Sequence, residues 1–345
     1  MVLPDRPQST GRIVILGAGN WGTTLACLYA GSRPTILLTR TIEQTRELTE
    51  HRENRKYLPG IFLPEPLTIL PAAGIELARD DLLLIAVPSH QVRRAVTPLI
   101  PQLDRGLVVN GAKGFEHSTL RTMSEVLIEM LPRTDVVTLS GPNIARELAA
   151  GKPTRAVLAG KRLEALSRAA QMLQHPQLVF ETSRDLRGVE LAASLKGTLA
   201  IAVGLADGFE LGDNFISLLM TYGLREFATL ATFMGADEAT VYGIAGLGDM
   251  ITSSLSPAGR NRRFGALLAK GIKFEDALEQ VGMVVEGVEM LKTVSRLQEL
   301  NLPLPLFTAV RDIVESQDVN ARERLVSAVL HYGAPEMERS QVRRA

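Results

Sequence analysis

One segment, "VILGAGNWGTTLA" at residues 14–26, limits what this chain can fold into more than any other. An apolar run from Ile13 to Leu16 reads as a strand. It breaks into Gly17-x-Gly19-x-x-Gly22 and resumes as a small-residue helix from Thr23 to Tyr29. Between a strand and a helix the three glycines have separate tasks. The first allows a tight turn, the second lets the backbone approach a pyrophosphate, and the third lets the helix pack closely. The leading N–H groups and the dipole of that helix then face an anion. The expected ligand is a dinucleotide held by Gly17, Gly19 and Gly22; the alternative is a glycine-rich turn with no ligand.

Such a turn belongs in a larger α/β pattern, and short apolar runs do recur at helix-length intervals: "RIVIL", "TILLT", "LLLIAV", "LVVN", "DVVTL" and "RAVLAG". Alternating strands and helices predict a parallel, doubly wound sheet. Near Arg187 the texture changes to "LRGVELAASLKGTLAIAVGLADG", rich in Ala and Leu, and helical patterns separated by Gly and Pro continue to about His331. A chain of 345 residues exceeds one typical core. The expectation is a Rossmann-type doubly wound parallel sheet over residues 1–190 and an all-helical substrate and catalytic domain over 191–335. A polar, frayed tail over 336–345 completes the chain.

Thirty-eight basic residues balance 38 acidic ones and no long basic run occurs, which argues against nucleic acid or an anionic membrane as principal partner. Cys27 is the single cysteine, so there is no disulfide framework and no cysteine metal site, which suits a reducing cytoplasm. His51, His90, His117, His175 and His331 show no metal spacing, and no metal is expected. The N-terminal residues lack an apolar signal core, and no uninterrupted apolar stretch is long enough for a bilayer, so membrane insertion is not expected.

Lys196 is the only charged side chain between Leu191 and Ala206. A lysine in so apolar a helix must snorkel, pair with an acid, or lose its proton readily, and the last option allows acid/base chemistry. In "GIAGLGDMITSS", Asp249 follows three glycines and is either a helix cap or a catalytic partner. "GRNRRFG" gathers Arg260, Asn261, Arg262 and Arg263, either as a solvated basic turn or as a phosphate site. Lys113 in "NGAKGFE" and Asn143 in "SGPNIARE" follow strands, at the end of the sheet where α/β folds bind ligands. Arg40 ends the second strand where an NAD-specific fold usually has Asp or Glu, which favours NADP(H) over NAD(H).

Taken in order, "GAGNWGTTLA", "HRENRKYLPG", "AVPSH", "GAKGFE", "SGPNIARELAAG", "VELAASLKG", "GIAGLGDMITSS", "GRNRRFG" and "VVEGV" make the chain similar to bacterial NAD(P)-dependent glycerol-3-phosphate dehydrogenases, from about Arg12 to Tyr332. The resemblance implies hydride transfer between dihydroxyacetone phosphate and sn-glycerol 3-phosphate for phospholipid synthesis, a cytoplasmic location and a homodimer. It makes Lys196 the acid/base beside Asp249 and places Lys113, Gly141, Ser253, Gly259, Arg260 and Asn261 around the substrate. It assigns Asn20, Trp21, Arg40, Lys113, Asn143, Ala145, Arg260, Val285 and Glu286 to the cofactor. Two positions depart from the family pattern. Many relatives have Asn where this chain has Gly197, and Ser where it has Gly259, so a side-chain hydrogen-bonding group is lost at each. Two competing readings are another two-domain NADP-dependent dehydrogenase acting on a hydroxy acid or sugar phosphate, and a non-catalytic NADP-binding regulator. The combined motifs count against the first, and Lys196 with Asp249 against the second.

Overall fold

The computed structural model describes residues 11–333 except 117–118, 257–258, 283–284, 289, 292–301 and 317–319, so His117 and the tail at 336–345 lie outside the described residues. The chain divides into two compact units at Leu186/Arg187. This division lies four residues before the expected 190/191 boundary, at Leu186, where the long helix that opens the second unit starts.

Unit one carries an eight-stranded sheet in the order β3-β2-β1-β4-β5-β6-β7-β8. From β1 (Ile13–Leu16) the chain runs through α1 (Asn20–Tyr29), β2 (Thr35–Thr39), α2 (Ile42–His51) and β3 (Thr68–Pro71) to one edge. It then returns to β4 (Leu82–Ile85) on the other side of β1, followed by α3 (Val92–Val96), β5 (Leu107–Asn110), α4 (Met123–Met130) and β6 (Asp135–Ser140). The reversal between β1 and β4 is the topological switch point at which such sheets bind ligands. Alternate side chains serve opposite faces. Ile13 and Ile15 pack with Leu25, Tyr29 and Leu166 on one side, and Val14 and Leu16 pack with Val92, Val96 and Leu127 on the other.

The expected all-parallel arrangement is broken once. After α5 (Ala145–Ala149), β7 (Thr154–Gly160) pairs antiparallel with β6. Residues 141–153, which join the two strands, hold only the five-residue α5, and the chain turns back beside β6. Helix α6 (Leu163–Leu173) then leads to β8 (Leu178–Ser183), which runs parallel to β7.

Unit two is helical throughout its described residues. Helix α7 (Leu186–Gly208) is, among the described residues, the one helix long and apolar enough by length and composition to cross a membrane, although Glu190 and Lys196 interrupt its apolar run. Its most apolar window is 94% buried, so it is the core helix that an all-round apolar helix becomes. Around it lie α8 (Gly212–Phe233), α9 (Glu238–Tyr242), α10 (Asp249–Leu255), α11 (Arg260–Ala269) and α12 (Phe274–Val281), followed by the helices Pro305–Ser316 and Ala321–Leu330. The fully buried carboxylate of Glu226 accepts the N–H groups of Leu306 and Phe307 at 2.6 and 2.8 Å, anchoring the start of one of these. Helices α7 and α11 meet through glycine. A Cβ on Gly265 would lie 2.9 Å from the Leu205 nitrogen, so the two backbones are in contact, and α11 is held against α7.

Candidate active site

In unit one the glycines divide their tasks as their spacing predicts. Gly17 has φ +116°, and a Cβ there would meet Val87 at 2.8 Å and the Ala86 carbonyl at 2.9 Å. Gly22 packs its α-carbon onto the Gly17 carbonyl. Nothing stands within 4 Å of a Cβ on Gly19, which leaves bare backbone open at the start of α1. Asn20 Oδ1, Asn143 Oδ1 and Ser140 Oγ are buried without a hydrogen-bond partner. Buried polar atoms are normally satisfied. These three fit the hydroxyl and carboxamide groups of a dinucleotide, and the exposed backbone at Gly19 fits its pyrophosphate.

Neighbouring residues complete the end of the sheet. The Trp21 indole lies against Gly111, whose Cβ would be 3.2 Å from Nε1. Lys113 Nζ donates to the Gly141 carbonyl at 3.4 Å, and Gly141 has φ +147°. The carbonyl of buried Ala145, at the start of α5, accepts from Thr24 Oγ1 at 3.2 Å. Arg40 is exposed just beyond β2. Burial pushes the Cys27 thiol up to about 11, despite the opposing charge of Arg52, and makes it unreactive.

In unit two, Lys196 on α7 forms an ion pair with Asp249, their side chains only 11% and 3% exposed. A π-helical turn (Ile244–Gly248) places the aspartate there. Its wide winding brings Gly246 onto the Val241 carbonyl, where no side chain fits, and the Gly248 N–H reaches the Gly243 carbonyl at 3.2 Å. Such turns often mark functional sites. Gly248 occupies the cap position of α10 and Asp249 the first helical one, which rules out the cap reading. A buried ammonium with a buried carboxylate is costly to break from either side.

Arg260 and Asn261 open α11, whose N-cap, Gly259, supplies no side-chain cap. A helix N-terminus is suited to an anion. Arg260 lies 3.8 Å from Glu286, both 40% exposed, a weak and solvent-screened pair. Asn261 Oδ1 accepts the Gly287 N–H at 2.9 Å. The rest of the basic cluster serves otherwise: Arg262 binds the Leu255 carbonyl at 2.7 Å and Asp207 at 3.2 Å, and Arg263 is exposed.

Ser253 is half-buried on α10. Val285, expected at the cofactor, has its side chain in the core of unit two, so only its backbone is available for such a contact. Thr198 Oγ1 and Ser254 Oγ, each beside a residue singled out from sequence, are buried without partners, and no sequence signal marks them. Gly287, which stands in the quoted "VVEGV", carries no signal of its own in the sequence. Among the described residues no group of three or more His, Cys, Asp or Glu could hold a metal ion.

Comparison with known proteins bears on both units. Residues 12–166 match the family described as NAD-dependent glycerol-3-phosphate dehydrogenase N-terminus, and residues 185–323 match the corresponding C-terminus. A glycerol-3-phosphate dehydrogenase, NAD(P)+, of Desulfitobacterium hafniense is 38% identical over 298 residues, covering 85% of this chain and 84% of the relative. One from Moorella thermoacetica is 42% identical over 293 residues, covering 84% and 85%. The crystal structure of glycerol-3-phosphate dehydrogenase from Coxiella burnetii superposes with a TM-score of 0.85 at 31% identity, covering 92% of this chain and 98% of that one.

Proposed function

The chain belongs to the NAD-dependent glycerol-3-phosphate dehydrogenase family, and from that premise we propose how its residues interconvert dihydroxyacetone phosphate and sn-glycerol 3-phosphate. It is an NAD(P)-dependent oxidoreductase. The nicotinamide cofactor supplies or accepts the hydride when bound. Lys196, as ammonium, gives a proton to the ketone oxygen in the reducing direction, and as amine takes one back in the other. Asp249 holds its Nζ in place through the buried pair.

The start of α11 takes the phosphate. Arg260 contributes a forked guanidinium, Asn261 an amide N–H, and the residues that follow Gly259 their backbone N–H groups, because the Gly259 N–H itself is donated to the Ser256 carbonyl at 2.9 Å. That grip aligns the reacting carbon, so binding far from the bond change serves the rate. Ser253, Lys113 and Gly141 are assigned to substrate on the family pattern. In unit one, Gly17, Gly19, Gly22, Asn20, Trp21, Ala145 and Asn143 are assigned to the dinucleotide, and Arg40 to a preference for NADP(H) over NAD(H). In unit two, Glu286 and the Val285 backbone join Arg260 as further cofactor contacts. The reading extends to a cytoplasmic homodimer, without nucleic-acid partner or membrane insertion, whose product feeds glycerophospholipid synthesis.

The observation that carries this reading is the Lys196–Asp249 pair, two buried opposite charges from separate helices close to the start of α11. The test supplies purified protein with dihydroxyacetone phosphate and follows oxidation of NADPH and NADH separately. Turnover of neither overturns the reading.

A further inference from the structure

Gly197 directly follows Lys196, and the missing asparagine there looks at first like a simple loss. The space shows otherwise. A Cβ on Gly197 would lie 2.8 Å from the Gly287 α-carbon and 3.0 Å from its nitrogen. Conversely, a Cβ on Gly287 would lie 2.6 Å from the Gly197 carbonyl oxygen and 2.8 Å from Asn261 Oδ1. Backbone meets backbone, and neither side has a flexible group that can give way. The contact also fixes an orientation. A peptide N–H only donates, so the Gly287 N–H, 2.9 Å from Asn261, requires the oxygen of that amide to face it and turns the NH2 away.

We propose that Gly197 and Gly287 are a matched pair clasped by Asn261, and that Asn261 is a positioning residue through its oxygen and a phosphate donor through its nitrogen. The clasp seats residues 285–288 on α7 immediately after the acid/base lysine, and holds Glu286 beside Arg260. Gly197 is then an integral part of this chain's site, and restoring the asparagine found in many relatives harms it. The inference rests on the dehydrogenase reading for the phosphate and on geometry alone for the clasp.

Four variants test it: Asn261→Asp, Asn261→Ala, Gly197→Ala and Gly197→Asn, each measured for thermal midpoint and for KM and kcat with dihydroxyacetone phosphate. Asn261→Asp keeps an oxygen for the Gly287 N–H but loses the NH2 and sets a negative charge toward phosphate. It retains the parent midpoint while KM rises about tenfold or more, the size of a hydrogen bond to a charged group. Asn261→Ala raises KM and lowers the midpoint as well. Both Gly197 variants raise KM, with kcat changed less. The proposal is overturned if Asn261→Asp loses as much stability as Asn261→Ala, if it leaves KM unchanged, or if Gly197→Asn improves kcat/KM. Should the Gly197 variants not fold, the two Asn261 variants decide. A parent protein inactive on dihydroxyacetone phosphate defeats the functional reading, while the difference in midpoint between the Asn261 variants still reports the clasp.

Discussion

The two units build their sites from different material. In unit one the cradle is largely backbone: Gly17, Gly19, Gly141 and the carboxyl ends of β1 and β6 lie close along the chain or at the same end of the sheet, and their geometry follows from strand pairing. In unit two the chemistry is carried by side chains from separate helices, Lys196 from α7, Asp249 from α10, and Arg260 and Asn261 from α11. A backbone site depends on what is absent from a residue, a side-chain site on what is present. Substitutions should therefore fail in different ways, by overcrowding in unit one and by lost charge or proton transfer in unit two.

The largest expected effect is that of Lys196→Ala. Removing a general acid costs roughly two to four orders of magnitude in rate, and kcat for dihydroxyacetone phosphate should fall accordingly while NADPH still titrates the protein. A variant turning over near the parent rate would remove Lys196 from the chemistry. Arg260→Ala comes next. Loss of a charge-assisted contact to phosphate costs about 1.5–3 kcal/mol, read as a rise in KM for the phosphorylated substrate with little change in thermal midpoint, because its ion pair with Glu286 is half exposed and solvent-screened. Unchanged kinetics would return Arg260 to a solvated turn.

Gly22→Ala probes the other unit. The new methyl must displace the Gly17 carbonyl, and overpacking of this kind costs about 1–3 kcal/mol. Weaker nucleotide binding and a lower midpoint should appear together, since the same contact packs α1 and shapes the cradle. If the variant binds nucleotide as the parent does, the Gly22–Gly17 backbone contact does not constrain the cradle.

The same contrast explains what the sequence made legible. Strands buried on both faces announce themselves as unbroken apolar runs, and β1, β4 and β5 are fully buried along their length. β3 and β8 are harder to read because they are the edge strands: Thr68 and Leu70 are exposed in one, Val179, Glu181 and Thr182 in the other, so neither is a fully buried apolar run. The turn back at β7 was illegible because apolar periodicity carries no strand direction. Lys196 was visible as an anomaly, a charge in an apolar helix, but its pairing with Asp249 depends on a long-range fold and a π-helical turn that no local pattern encodes. The clasp at Gly287 needs three segments at once and left only a bare glycine in the sequence.

The smallest expected effect concerns the choice of nicotinamide cofactor, and it joins the two kinds of site within unit one. Arg40 follows the last residue of β2, where an acidic side chain would bind ribose hydroxyls and repel a 2′-phosphate. Its backbone N–H donates to Gln44 Oε1 at 3.3 Å, and Gln44 Nε2 donates in turn to the Ala18 carbonyl within the glycine loop at 3.4 Å. One glutamine thus ties the backbone of Arg40 to the cradle, while its guanidinium, exposed and without an ion pair among the described residues, is available to an external phosphate. Because the contact is solvent-screened, it contributes about 1 kcal/mol or less, a severalfold preference for NADPH. Arg40→Ala should lower kcat/KM for NADPH by that factor and leave the value for NADH unchanged. Equal losses for both cofactors, or a parent enzyme that favours NADH, would show that this arginine does not read the 2′-phosphate.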